Sequence, residues 1–291
     1  MRTAKNIRGI DRFVLLTLFA AGLISLALLA DWWFRPEHIS VLWFFIIFST
    51  VFWYGGIRIV LIWINYLMIK KPESVPAPPG LRVAIFTTCT HGEPLDMFEK
   101  TLAACRQVTY PHATYLLSDR EEPEVKELAE RHGAIYLDVR NTTGAKAGKI
   151  NKALGMTDED YILILDPDHI PFPSFLDQTL GYFRDPAVGF VQVSQAYYNQ
   201  YRSFTAKGAA EQTYTFYGPT QMGLFGTGSS VAIGANCTFR RTALESIGGH
   251  GVGLAEDLLT SLRLHAAGWK SVYNPVIVSR GLVPEDFGSF C

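Results

Sequence analysis

The chain has 291 residues, 48% of them hydrophobic, and a formal net charge of -1 from 26 Lys+Arg and 27 Asp+Glu. So even a balance gives no field that favours nucleic acid, and any anionic ligand has to be held locally. Four cysteines, Cys89, Cys105, Cys237 and Cys291, form no CxxC pair and have no histidine at zinc-ligand spacing, which excludes a zinc site of that kind and fits small buried thiols.

From Phe13 to Ala30 the run FVLLTLFAAGLISLALLA carries no charge and is long enough, at about 1.5 Å per residue, to cross a bilayer core. A second run, Val41 to Ile69, has Arg58 as its one charge and is rich in Trp, Phe and Ile. Together they predict a transmembrane hairpin over residues 1–71, with Trp32 and Trp33 at the interfacial turn. Arg2, Lys5, Arg8 and Arg12 precede the first span and Lys70 and Lys71 follow the second, so the positive-inside rule puts both ends on the cytoplasmic side of an inner or plasma membrane. A cleaved signal peptide fits poorly, because no small-residue cleavage site precedes the tryptophans and a second span follows at once.

Residues 72–80 read as a proline-rich linker that extends but cannot pack, and residues 81–291 as a soluble domain. There, apolar runs alternate with amphipathic stretches: LRVAIFTT then PLDMFEKTLAACRQ, ATYLLSD then EPEVKELAERHG, AIYLDV then KAGKINKALGM, YILILD then FPSFLDQTLGYF. Strand and helix in that order predict an α/β fold with a parallel sheet covered on both faces.

Ligands of such sheets bind beyond the carboxyl ends of the strands. Two strands end in aspartate, one at Asp119 and one at Asp166 with Asp168 just beyond. Converging carboxylates repel unless a cation sits between them, and hard oxygen ligands without a cysteine cluster point to Mg²⁺ or Mn²⁺. An ordinary turn with two solvated aspartates is the bland alternative. In GAKAGKINKAL, Lys146 and Lys149 stand beside two glycines at a helix start, either an anion site or a plain basic helix start. In LAEDLLTSLRLHAAGW, Glu256 and Asp257 open a helix, where capping alone explains them but a carboxylate facing the cleft could also serve as general base.

Asp119, then KAGxxN (Lys146, Ala147, Gly148, Asn151), then Asp166-Pro167-Asp168, then GTGSSVAIGANCTFRRTALESIGG, then Ala255-Glu256-Asp257, in this order, resemble the processive membrane glycosyltransferases of family 2, the cellulose synthase type. The resemblance covers nearly all of the chain from Leu81 onward. It implies a GT-A fold and inverting transfer of a sugar from a UDP-linked donor, UDP-glucose first among candidates, to a growing polysaccharide. It further implies that Asp119 contacts the uracil or ribose and that Asp168, with Asp166, holds the metal on the donor diphosphate. Lys146 would lie near the nucleotide, Asp257 would be the base, and Gly226 and Gly228 of the GTGSS loop, with Glu256, would line the pocket. For His169 an ordinary hydrogen-bonded histidine is expected rather than a metal ligand.

The chain departs from the family in two places. The nucleotide motif often reads Asp-Asp-Gly where this chain has Ser118-Asp119-Arg120, and Cys291 precedes the point where a Q-x-x-R-W motif would follow. The expectation is therefore a fragment or truncated product impaired as a polymerase. An inactive relative with an assembly role and a haloacid dehalogenase-like phosphohydrolase stay open beside it, as does the need for accessory subunits.

Overall fold

The computed structural model describes residues 4–6, 9–90, 92–119 and 121–290. Arg2, Arg8, Arg120 and Cys291, used in reading the sequence, lie outside them. Helices α1 (Gly9–Trp33) and α2 (Leu42–Leu67) form an N-terminal hairpin, both long and apolar enough to cross a membrane. No residue of α1 and only Ser49 of α2 is buried, so their apolar surface is bare, unlike that of a soluble core helix. Aromatic packing joins the two. Trp33 stacks on Phe52 with ring centres 4.5 Å apart and donates to Ser49 Oγ at 2.8 Å, while the Trp63 ring fills the space that a Cβ on Gly22 would need.

Lys70–Pro72 pairs with Ala4–Asn6 as a short antiparallel ribbon. The proline-rich stretch that follows does pack, contrary to expectation. Val75 and Ala77 lie against the core, and the Tyr110 hydroxyl donates to Pro78 O at 2.6 Å while accepting the Leu81 N–H at 3.0 Å. Prolines withhold N–H groups, but their carbonyls still accept, and this holds the stretch as a strap.

Beyond the strap the expected alternation is present: β1 (Val83–Cys89), α3 (Leu95–Cys105), β2 (Ala113–Ser118), α4 (Pro123–Arg131), β3 (Ile135–Asp138), α5 (Ala145–Leu154) and β4 (Tyr161–Leu165). Every residue of β1 and β4 is buried, as befits strands covered on both faces. FPSFLDQTLGYF, however, forms two 3-10 turns, Leu176–Gln178 and Leu180–Arg184, rather than the expected helix. A Cβ on Gly181 would overlap the strap carbonyl of Val75, and the Thr179 hydroxyl donates to the Phe175 and Leu176 carbonyls. Close contact and local side-chain bonding thus outweigh the helical period.

The remaining elements are β5 (Val188–Ser194), α6 (Phe204–Thr215), α7 (Gln221–Thr227), β6 (Cys237–Arg240), α8 (Arg241–Ser246), α9 (Glu256–Ala266) and β7 (Lys270–Ile277). Among the described residues seven strands form the main sheet in the order β3-β2-β1-β4-β6-β5-β7. It is mixed rather than wholly parallel, because β6 runs antiparallel to both β4 and β5. That reversal places the segment feeding β6, residues 229–236, at the carboxyl ends of the parallel strands, the edge where such sheets bind ligands. Between α6 and α7 a single π-turn at Phe216–Thr220 contains Pro219, and the Thr220 carbonyl accepts Asn65 Nδ2 of α2 at 2.9 Å. The hairpin is thereby tied to the element that leads into the site.

Candidate active site

Four elements bring the predicted residues together. At the end of β4 the chain turns through Asp166, Pro167, Asp168 and His169, with the His169 N–H donating to Asp166 O at 3.0 Å and the Thr101 hydroxyl of α3 to Pro167 O at 2.7 Å. The turn continues into a two-residue ribbon, Ile170–Pro171 against Ser279–Arg280. This pairing carries Gly281 and Leu282 behind the carboxylates, so that the Leu282 N–H donates to Asp168 Oδ2 at 2.7 Å. A Cβ on Gly281 would come within 2.7 Å of the His169 ring and 3.1 Å of Asp168 Oδ2, which is why glycine stands there.

Asp166, Asp168 and His169 each present a ligand atom, all within 4.8 Å of one another. His169 is nevertheless committed elsewhere. Its Nδ1 lies 3.0 Å from Asp168 Oδ1 and its Nε2 2.9 Å from Gln195 Nε2, while the Tyr217 hydroxyl donates to Gln195 Oε1. With that oxygen accepting from the tyrosine, the glutamine amide donates to Nε2, and the imidazole N–H at Nδ1 donates to Asp168. The expected hydrogen-bonded histidine is what the geometry gives, and its task is to brace Asp168. Burial alone would raise the Asp168 pKa, but the His169 and Leu282 hydrogen bonds outweigh it and hold the carboxyl below the usual range.

The KAGxxN string explains itself residue by residue on α5. Gly144 caps the helix in the left-handed region (φ +93), and a Cβ on Gly148 would overlap the Thr143 carbonyl, so small residues let the chain fold tightly at the helix start. Lys146 and Lys149, one turn apart, face the sheet edge. Lys146 Nζ donates to Asp166 Oδ1 and, at 2.6 Å, to Gly234 O. Lys149 is buried, donates to Cys89 O at 2.6 Å and pairs with Asp119 at 3.2 Å.

Asp257 stands in the first turn of α9 with its Oδ1 accepting the Leu258 N–H at 2.7 Å. Gly234 separates it from the lysine: a Cβ there would lie 3.7 Å from Asp257 Oδ2 and 3.8 Å from Lys146 Nζ. Asp166, Lys146, Gly234 and Asp257 thus form one contiguous edge. Glu256 is in the same turn, where its charge acts on the His250 ring.

Gly226 and Gly228, pocket residues on the family resemblance, make other contacts in the structure. A Cβ on Gly226 would overlap the Met68 carbonyl, so this glycine lets α7 dock on the end of the hairpin; Gly228 is the left-handed cap of α7 (φ +78), with nothing within 4 Å of where its Cβ would be. The glycine of this segment that lies between Asp257 and Lys146 is Gly234, six residues beyond Gly228. Two fully buried glutamines hold its turn: Gln192 accepts the Ile233 N–H and donates to Ala235 O, both at 2.9 Å, and Gln221 donates to Val231 O at 2.8 Å. Glu93 was also missed. Burial raises its pKa, with Asp168 and Asp166 contributing, which places it within electrostatic reach of the aspartate pair.

No metal is part of the structure, but the donor set suits a hard divalent ion. The two carboxylates converge, and Lys146 already stands at Asp166 as a cation.

A family model described as Glycosyltransferase like family 2 matches residues 78–290. Cellulose synthase 1 of Komagataeibacter xylinus is 29% identical over 283 residues, 91% of this chain and 18% of its own length. The cellulose synthase catalytic subunit (UDP-forming) of Xanthomonas axonopodis pv. citri is 32% identical over 227 residues, 74% of this chain and 31% of its own length. The chain therefore spans about a fifth to a third of these curated relatives. Among solved structures, a mannosyltransferase from Pyrobaculum calidifontis in complex with GDP-Man and Mn²⁺ superposes with a TM-score of 0.65 at 19% identity, covering 82% of this chain and 68% of that one. At that identity the likeness speaks for the fold alone, which is α/β of the GT-A type. With β1 to β7, the aspartate turn and the start of α9 all inside the matched residues, the chain belongs to glycosyltransferase family 2.

Proposed function

We propose that this domain transfers a sugar from a UDP-linked donor, UDP-glucose first, to a hydroxyl of a growing polysaccharide, with inversion and with dependence on Mg²⁺ or Mn²⁺. The observation that carries the reading is the single edge on which Asp166 converges with Asp168 and meets Lys146, and Lys146 and Asp257 flank Gly234. Asp168, kept ionised by His169 and Leu282, would hold the ion together with Asp166. When bound, the ion offsets the charge that grows on the leaving diphosphate. Asp119, fixed by Lys149, would meet the uracil or ribose, and Lys146 the diphosphate. Asp257 would take the proton of the acceptor hydroxyl across the gap at Gly234, and a base acting alone on the acceptor gives one displacement and therefore inversion.

The bare apolar surfaces of α1 and α2 fit a hairpin within a lipid bilayer, with the domain on the cytoplasmic face where Lys70 and Lys71 follow the second helix. Calorimetric titration of the folded chain in detergent with UDP and Mn²⁺ tests the donor site. Binding that needs the ion supports it; an absence of binding by folded protein contradicts it.

A further inference from the structure

Lys146 does more than approach a ligand: it already neutralises one of the two carboxylates that a metal would need. Its ammonium is held by Asp166 Oδ1 and the Gly234 carbonyl. Asp168 needs no such cation, since the His169 ring and the Leu282 N–H satisfy its two oxygens. The aspartate pair is thus asymmetric, one member braced by the His169 ring and the Leu282 N–H and the other by the Lys146 ammonium. An ion bridging both would share Asp166 with an ammonium, and two cations at one carboxylate repel strongly in a partly buried site.

The two lysines of α5 also differ. Lys149 is fixed, its side chain 5% exposed and bound to Cys89 O and Asp119. The Lys146 side chain is 22% exposed on a flexible four-carbon stem, so its head can swing while the helix stays in place. The backbone beneath it is held by the Gly148 contact and by Asn151, which grips the His250 main chain.

Resting on the donor reading above, we propose that Lys146 is the resident counter-cation of the metal site. In the free protein it locks Asp166; the donor diphosphate draws the ammonium away, and only then can a divalent ion bridge Asp166 and Asp168. Nucleotide and metal consequently bind with positive coupling, and by linkage each tightens the other by the same factor.

The test uses the full chain in detergent, with Mn²⁺ followed by electron paramagnetic resonance and UDP by calorimetry. In the unsubstituted protein, saturating UDP should tighten Mn²⁺ about tenfold or more. Lys146→Met should bind Mn²⁺ about tenfold tighter than the unsubstituted protein when no nucleotide is present, and the further tightening by UDP should be smaller than in the unsubstituted protein by the same factor, leaving only what the diphosphate oxygens themselves contribute. Lys146→Gln, checked for folding by circular dichroism, serves as a second neutral variant. If both neutral variants bind Mn²⁺ alone no better than the unsubstituted chain, the lock is overturned while the donor site stands. If no form binds Mn²⁺ or UDP in any combination, the donor reading fails with it.

Discussion

Asn151 and His250 grip each other through a reciprocal pair of hydrogen bonds, Asn151 Nδ2 to His250 O at 2.8 Å and His250 N to Asn151 Oδ1 at 2.6 Å. One side chain thereby ties α5, which carries Lys146 and Lys149, to the glycine-rich segment that leads into α9 and Asp257. Asn151→Ala leaves a main-chain donor and acceptor without partners and should cost about 2 kcal/mol of stability. Transfer should fall more than UDP binding, because the spacing of Asp257 from the donor side is what loosens; equal losses in both would show that the clamp acts only on folding.

His250 also predicts how stability depends on pH. Its ring is buried, its Nε2 has no hydrogen-bond partner among the described residues, and it feels Lys146, Glu256 and Asp257. Burial pushes its pKa below the ordinary histidine value of 6.5, so it stays neutral in the folded chain. The unfolded chain takes up a proton near pH 6.5 that the folded chain refuses until lower pH, so this group drains stability as pH falls below about 6.5. The thermal midpoint should drop between pH 7.5 and 5.5, and His250→Phe, which keeps a ring against Phe239, should flatten that drop. An unchanged slope in the variant would rule the histidine out as its source.

Gly226 and Gly228 offer a contrast between packing and backbone conformation. A methyl at Gly226 has to displace the Met68 main chain, so Gly226→Ala should cost about 3 kcal/mol by overpacking. Gly228→Ala meets no neighbour and pays only for the left-handed conformation, about 1 kcal/mol. Thermal unfolding of both variants decides it. Should Gly228→Ala lose UDP binding at full stability, that glycine returns to the donor pocket.

Asp168 and Asp257 should separate binding from chemistry. Asp168→Asn should abolish metal-dependent UDP binding. Asp257→Asn should leave it intact and remove transfer, since the base acts on the acceptor and not on the nucleotide. Measuring both properties on both variants matters, because loss of UDP binding in Asp257→Asn would place that carboxylate on the donor instead.

What the sequence made legible was local. The apolar runs of β1 and β4, the period of α5 and the aspartates at strand ends carry their own signals, and the ordered motifs single out Asp119, Lys146, Asp166, Asp168 and Asp257 as candidates. What it hid depends on contacts between distant segments. Gln195, Tyr217 and Leu282 converge behind Asp168 from separate elements, and nothing in their own neighbourhoods announces it. Gly234 was overlooked because GTGSS looks more like a loop than VAIGAN does; only the antiparallel course of β6, four residues long, brings that glycine to the ligand edge. The turns after Pro173 kept the helical pattern of buried Leu176, Leu180 and Phe183 yet lost the helix to the strap.

The central claim is that the acidic turn closing β4 grips a divalent ion on a nucleotide diphosphate. Anomalous diffraction at the manganese edge, from crystals of the protein grown with UDP and Mn²⁺, addresses it most directly. A single strong peak coordinated by Asp166 and Asp168, with Lys146 moved from Asp166 onto the phosphates, is the predicted result. Nucleotide bound with no peak at that turn, or a peak held by other side chains, would contradict it.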